Sequence, residues 1–445
     1  MKKITDVFKM SEFKKKILFT LFIIVVYRIG ATIPIPGINS DAVKSLFATY
    51  NSGLLGFLDM FSGGALNRMS IFSLGVMPYI NASIIMGLLQ SAHIFQYLDK
   101  LSNEGNHGRK KLVQITRFGT VIFAIVQSFG IIMIANKIPV SLGVRIVTDF
   151  SLSWIISSVI TLVSGTVLIM WLGEQITERG IGNGVSLIIF AGIVERIPSA
   201  IFKCIKLLNT KELNIFYSLS FVFIIFVILI SVVWIETAQR KIPVHYAKRI
   251  VGRKIYDKQM SFLPIKINQA GVISVIFAVS VLSMPLMLFN IFPKIVFCGF
   301  NISEKFINMF NNNSIVYNIV FVLLIVFFCY FYNSISFNPK DLADNMKKMN
   351  GFIPGIRPGS QTELYIKNIL EKITLTGALF VAFIAVLPDF LKRFVNLPFF
   401  FGGTSLLIVV GIALDTIGQI ESYFIMKNYE DFIKKSNLKK KWFNV

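Results

Sequence analysis

Charge is scarce in this chain. Only 15% of its 445 residues are Asp, Glu, Lys or Arg, where soluble domains carry about a quarter. That excludes a solvated exterior for most of its length. Histidine and cysteine are scarcer. His93, His107 and His245 lie far apart, and Cys204, Cys298 and Cys329 show no CxxC spacing. Such scatter argues against a zinc site, a disulfide framework and a histidine-based triad. A phosphate-binding loop is missing too. The glycine cluster RGIGNG, residues 179–184, lacks the Lys-Ser/Thr that holds phosphate and magnesium; a glycine opening a helix explains it better. Paired carboxylates inside apolar runs, the mark of ion-coupled transport, are also absent. The candidates are Arg28, Glu174, Asp415 and Glu421, of which Glu174 and Glu421 fall near the ends of such runs. No cofactor and no enzymatic chemistry are expected, and whatever the chain moves must draw its energy from elsewhere.

What is present is apolar. Hydrophobic residues make up 54%, and the mean hydropathy is +0.69. Runs near the ~20 residues that cross a bilayer recur from end to end. Short alternating segments of a β-barrel do not appear. The fold class is therefore an all-α polytopic membrane protein. Ten spans are expected, near 17–35, 71–89, 115–134, 154–176, 183–197, 216–236, 270–292, 316–335, 374–390 and 404–425. The fifth is short for the ~30 Å hydrocarbon core. The start, MKKITDVFKMSEFKKK, is basic but lacks a small-residue cleavage site, so the first run reads as a retained span.

The net charge of +22 fits the positive-inside rule. Lys and Arg crowd the N-terminus, the connections after spans two, six and eight, and the tail. Every second connection being basic implies an even number of spans with both termini in the cytoplasm. Two of the basic connections are long, 237–269 and 336–372. They carry QRKIPVHYAKRIVGRKIY and FNPKDLADNMKKMNGFIPGIRPG. Basic residues interleaved with Tyr, Ile, Pro and Gly read as a docking surface rather than topology signals alone.

One stretch fits no span. FLDMFSGGALNR, residues 57–68, is apolar, too short to cross, split by Gly63-Gly64, and carries Asp59 and Arg68. Span two follows as LGVMPYINASIIMGLLQ, with Pro78, Asn81 and Ser83 inside it. Mild polar residues there suit helix packing or a wet, openable space.

DMFSGGALNRMSIFSLGVMPYINASII closely resembles the SecY family of bacterial protein-export channels. So do RIGATIPIPGI at 28–38, NEGNHGRKKLVQITRFGT at 103–120 and ITERGIGNGVSLIIFAGIV at 176–194. YAKRIVGRKIY at 246–256, LPIKINQAGVI at 263–273, FNPKDLADNMKK at 337–348, IPGIRPGSQTELYI at 353–366 and FGGTSLLIVVG at 401–411 continue the match in order. It lapses near 198–214 and 293–314.

The resemblance implies ten transmembrane helices in two pseudo-symmetric five-helix halves, 1–210 and 211–445, around an hourglass pore with a short re-entrant plug helix. Carried over by motif, the pore ring is Ile80, Ile84, Val185, Ile189, Ile276 and Ile408. An aliphatic collar closes around a passing chain without binding it. The plug is 57–68, with Phe57, Met60, Phe61, Ser62, Gly63, Gly64, Ala65, Leu66 and Arg68. Its charged residues are expected to face a wet outer funnel. The lateral gate between spans two and seven takes in Asn81, Ser83 and Ser274. Arg253, Lys254 and Arg357 would dock the SecA motor ATPase or the ribosome. Implied stable partners are SecE and SecG, with YidC and SecDF as accessory ones, and the cargo is secretory and membrane precursor polypeptides passing into or beside lipid. On the residues alone, an ion-coupled small-solute transporter and a membrane-anchored RNA-binding scaffold stay open. The first needs a midplane binding site; the second needs basic loops that matter and a span-two face that does not.

Overall fold

A computed structural model of the chain describes residues 11–39, 42–43, 56, 59, 61–91, 95–137, 147, 150–210, 215–246, 249–251, 254–256, 260–291, 296–297, 300–301, 315–394 and 403–442. A helix lies at each of the ten expected positions. They are α1 (Ser11–Thr32), α2 (Met77–Ser91), α4 (Asn106–Lys137), α5 (Leu152–Arg179), α6 (Gly184–Val194), α8 (Ile215–Thr237), α9 (Ile273–Ile291), α10 (Ile315–Ser336), α12 (Ser360–Phe394) and α13 (Gly403–Trp442). Between them stand α3 (Gln96–Asn103), α7 (Arg196–Asn209) and α11 (Pro339–Lys348). Among the described residues, 6 stretches are long and apolar enough to cross a membrane by length and composition, and Val222–Thr237 and Ile273–Pro285 are shorter apolar helices. The chain is a multi-pass membrane protein.

Two boundaries differ from the expectation for local reasons. Span two was expected from residue 71, but α2 begins at Met77 with Pro78 in its first turn, where a missing N–H costs nothing. Residues 71–76 are turns. With 15 residues, α2 is about 22 Å long, short of the hydrocarbon core. Span five is split. Asn183 caps α6 by accepting from the Ser186 N–H, and after Glu195 the chain restarts as α7.

The chain divides into two compact units. One comprises Met1–Phe202, Met287–Ser303 and Gly411–Val445; the other comprises Lys203–Leu286 and Glu304–Val410. In the first, α2 and α5 both pack on α4, and α1 and α6 both pack on α5. Arg117 of α4 and Glu174 of α5 form a two-pronged ion pair, at 2.9 and 2.7 Å. Glu174 thus holds two spans together.

In the second unit, α10 packs on α12, and the two long connections depart from an all-helical reading. Strand β1 (Gln239–Tyr246) pairs antiparallel with β4 (Met260–Lys266) and, at its end, with β7 (Gly351–Phe352), in the order β4-β1-β7. Ile242 faces Leu263, and His245 faces Phe352. β2 (Arg249–Val251) and β3 (Lys254–Tyr256) form a second hairpin between β1 and β4; in the first unit β5 (Val296–Phe297) pairs antiparallel with β6 (Phe300–Asn301). The prolines fit this topology. Pro243 sits where β1 has a partner on one side only, and Pro264 sits on the edge strand β4, the places a strand tolerates a missing donor.

One apolar core unites both connections. Ile242, Val244 and Ile265 of the sheet meet Met346 of α11, Ile353, and Ile366 and Leu370 of α12. α11 is started by Asn338, whose side chain accepts from the Lys340 N–H at 3.1 Å, with Pro339 next. Basic Lys347 and Lys348 close its last turn, where the helix dipole favours cations.

Candidate functional site

Within 57–68, Asp59 and residues 61–68 are seated in the first unit by side chains from α1 and from the junction of α6 and α7. Phe57 and Met60 lie outside the described residues. Gly56, Asp59 and Phe61 are helical, Ser62–Gly64 turn, and Leu66–Arg68 form one 3-10 turn. Phe61, Ser62, Ala65 and Leu66 are buried. Arg68 is exposed.

Asp59 is the correction. It was expected to face water, yet it is only 1% exposed. A buried carboxylate costs several kcal/mol unless it is paired and hydrogen-bonded, and Asp59 is both. Its Oδ2 pairs with the Arg196 guanidinium. Its Oδ1 accepts the Asn67 N–H at 2.7 Å. Its carbonyl accepts the Gly64 N–H at 2.9 Å, the Ser62 hydroxyl at 3.0 Å and Arg196 Nη2 at 2.8 Å. One residue thereby closes the turn on itself and ties it to the start of α7.

A second tie comes from α1. Tyr27 donates its hydroxyl to the Ser62 carbonyl at 3.0 Å. Arg28 donates to the Gly63 carbonyl at 3.0 Å and to the Ala191 carbonyl at 2.6 Å, and it pairs with Glu195. Ala191 belongs to the last turn of α6, and its carbonyl also accepts the Glu195 N–H at 3.2 Å. The charge of Arg28 inside an apolar run was the visible signal. Tyr27, Glu195 and Arg196 gave none, because their partners lie far away in sequence.

Glycine lets the turn approach α6. A Cβ on Gly63 would stand 2.7 Å from the Gly192 Cα, and one on Gly192 would stand 2.9 Å from the Gly63 Cα. Beyond the turn the chain pairs with the segment after α1: Ile35 donates to the Met69 carbonyl, and Ile71 to the Ile33 carbonyl, both at 3.0 Å.

The ring residues are placed as follows. Ile80 and Ile84 on α2, Ile189 on α6, Ile276 on α9 and Ile408 on α13 are buried. Val185 is half-buried, its Cγ2 against Gly173 of α5. Of the residues expected at the lateral gate, Asn81 is buried, and its Nδ2 has no partner among the described residues. Ser83 is half-buried and donates to the Ile80 carbonyl at 2.8 Å. Ser274 is buried, donating to the Gly271 carbonyl at 3.1 Å and accepting the Cys329 thiol at 3.2 Å. Arg357 is exposed, in the turn between β7 and α12, where its carbonyl accepts the Thr362 hydroxyl at 2.9 Å. Lys254 lies in β3. Arg253 lies outside the described residues.

The turn is thus held in place by directional bonds from α1 and α7 and by close glycine packing on α6. Among the described residues, no three His, Cys, Asp or Glu side chains gather to hold a metal.

The SecY family model matches residues 70–417. Protein translocase subunit SecY of Pseudomonas aeruginosa is 45% identical over 430 residues, covering 97% of this chain and 95% of that one. A solved SecY structure, whose plug domain stabilises the closed state of the translocation channel and maintains a membrane seal, shares the fold with a TM-score of 0.66 at 21% identity, covering 92% of each chain. Sec61 in the canine ribosome–channel complex from the endoplasmic reticulum gives 0.63 at 20% identity, again over 92% of each. With most of its length matched by the family model and by a near-full-length relative, the chain belongs to the SecY family of protein translocase subunits.

Proposed function

We propose that this chain forms the passage of a protein translocase, moving unfolded secretory polypeptides across the bacterial cytoplasmic membrane and releasing transmembrane segments sideways into lipid. The observation that carries the reading is the seated half-span. It is apolar, too short to cross, and tied by α1, α6 and α7 into the same unit as Ile80, Ile84 and Ile189. A segment held by a few directional bonds and close glycine contacts can leave as a body, which is what a plug must do. The ring of Ile80, Ile84, Val185, Ile189, Ile276 and Ile408 would close on the passing chain. Asn81, Ser83 and Ser274 would line the lateral gate, and 1–210 and 211–445 would act as the two halves. Both termini would lie in the cytoplasm.

The chain carries no motor, so the drive comes from outside it. The sheet of β1, β4 and β7, with Lys254 and Arg357 nearby in sequence, is a basic platform suited to ribosomal RNA and to acidic patches on a motor. We assign SecA and the ribosome to it, SecE and SecG as stable subunits, and YidC and SecDF as accessory ones. The ribosome is the partner of the canine relative.

The test is reconstitution. The chain purified with SecE, in vesicles with SecA, ATP and a secretory precursor, is expected to protect the precursor from added protease. A folded complex that gives no ATP-dependent protection would sink the reading. Solute flux through vesicles holding the chain alone would favour a transporter instead. In the same assay Arg357→Glu is expected to cut protection about tenfold or more, with normal insertion of the channel into the membrane; a charge reversal at an interface pair costs a few kcal/mol. Unchanged protection would remove Arg357 from the docking surface.

A further inference from the structure

We propose that the Asp59–Arg196 ion pair, backed by Arg28 and Glu195, is an electrostatic latch that sets how readily the plug leaves its seat. The proposal rests on the plug reading above and adds which charges hold the closed state.

Three observations carry it. First, the pair is asymmetric in burial. The Asp59 side chain is 1% exposed and that of Arg196 is 33% exposed. The carboxylate is therefore tolerated only while the guanidinium stands beside it. Second, the two arginines grip opposite ends of one turn. Arg196 holds the Asp59 carbonyl, and Arg28 holds the Gly63 carbonyl. The turn between them is closed on itself by the Gly64 N–H and the Ser62 hydroxyl, so it moves as a unit or not at all. Third, Glu195 and Arg196 are consecutive at the end of α6 and the start of α7. One junction supplies the acid that aims Arg28 and the base that holds Asp59. The surrounding plug residues Phe61, Ala65 and Leu66 are apolar and buried, so the polar demand on Asp59 comes from the Asn67 N–H and from Arg196.

A latch of this kind is strong when dry and weak when wet. In the seat the charges attract through a low dielectric. Once the turn moves out, both are hydrated and screened, and little draws them back beyond the contacts of Phe61 and Leu66. Plug departure should therefore be close to all-or-none.

The test is a double-mutant cycle read by ion leak from vesicles containing the purified complex. Arg196→Gln strands the buried carboxylate and is expected to raise resting leak on the order of a hundredfold. Asp59→Asn leaves Arg196 part-solvated and keeps an acceptor for the Asn67 N–H, so a rise of roughly tenfold or less is expected. The double variant should leak no more than Arg196→Gln alone. Leak unchanged in Arg196→Gln, or single effects that simply multiply in the double, would overturn the latch. Deletion of residues 57–68 separates the two readings. If that deletion does not leak, the plug reading itself fails. If it leaks while Arg196→Gln does not, only the latch fails. Should Arg196→Gln not assemble, Arg196→Lys takes its place. A single ammonium cannot serve the Asp59 carboxylate and carbonyl with the same fork, and a leak between wild type and the deletion is expected; wild-type leak would overturn the proposal.

Discussion

Replacing Ile366 by aspartate is expected to abolish the docking of SecA and the ribosome proposed above, while the membrane part stays inserted and sealed. Ile366 lies near the start of α12 and is 0% exposed, in the one apolar core shared by β1, β4, α11 and the turn after β7. An aspartate there has no cationic partner among those core residues, and an unpaired buried carboxylate costs several kcal/mol. The platform is small, so a penalty of that size approaches its whole stability. Arg357 follows the sheet in sequence and is held through its carbonyl by Thr362, one turn before Ile366. Losing the core releases both. The conservative change Ile366→Val removes one methylene, costs about 1 kcal/mol, and should leave docking intact. Co-sedimentation with SecA and with ribosomes reads the loss; resting leak reads the seal. Docking that survives Ile366→Asp would mean the sheet is not what presents the basic residues. A leak appearing with it would mean the core also supports the pore.

That core was only half legible. Long apolar runs announced the spans, because hydrocarbon demands them locally, residue after residue. The sheet announced nothing comparable. In QRKIPVHY only Ile242 and Val244 turn fully inward, too few for a strand pattern to emerge. β1 finds β4 across an intervening hairpin, and β7 only after α9, α10 and α11. Pairing over that distance is a property of the folded chain. The same limit hid the burial of Asp59. Its sequence neighbours suggest an outer, wet position, and the residue that makes burial possible, Arg196, is 137 positions away. Arg28 was legible as an anomaly, a charge in an apolar helix, but not as a clamp on Gly63 and Ala191. Gly63-Gly64 read correctly as a break; that Gly63 abuts Gly192 could not be read at all.

That glycine contact yields the sharpest prediction for the seal. Gly63→Val is expected to unseat the plug and leave a channel that leaks about as much as one lacking residues 57–68. Two penalties coincide at this position. Gly63 has φ +65, a left-handed conformation that costs an ordinary residue about 1–2 kcal/mol and a β-branched one more. A Cβ there would also stand 2.7 Å from the Gly192 Cα and 3.0 Å from the Tyr27 hydroxyl. Backbone on a packed helix cannot step aside as a flexible side chain can, so the turn must rise off α6. Doing so breaks the bonds from Tyr27 to Ser62 and from Arg28 to Gly63 together. Gly64 supplies the control. It too is left-handed, at φ +82, but a Cβ there meets only Arg196 Nη2, at 3.7 Å. Gly64→Ala therefore carries the conformational penalty alone and should raise leak by roughly tenfold or less. Both variants are read as ion efflux from vesicles of the purified complex, against wild type and the deletion. Equal leak from Gly63→Val and Gly64→Ala would mean that close approach to Gly192 does not hold the plug, and that the directional bonds around Asp59 and Arg28 seat it by themselves.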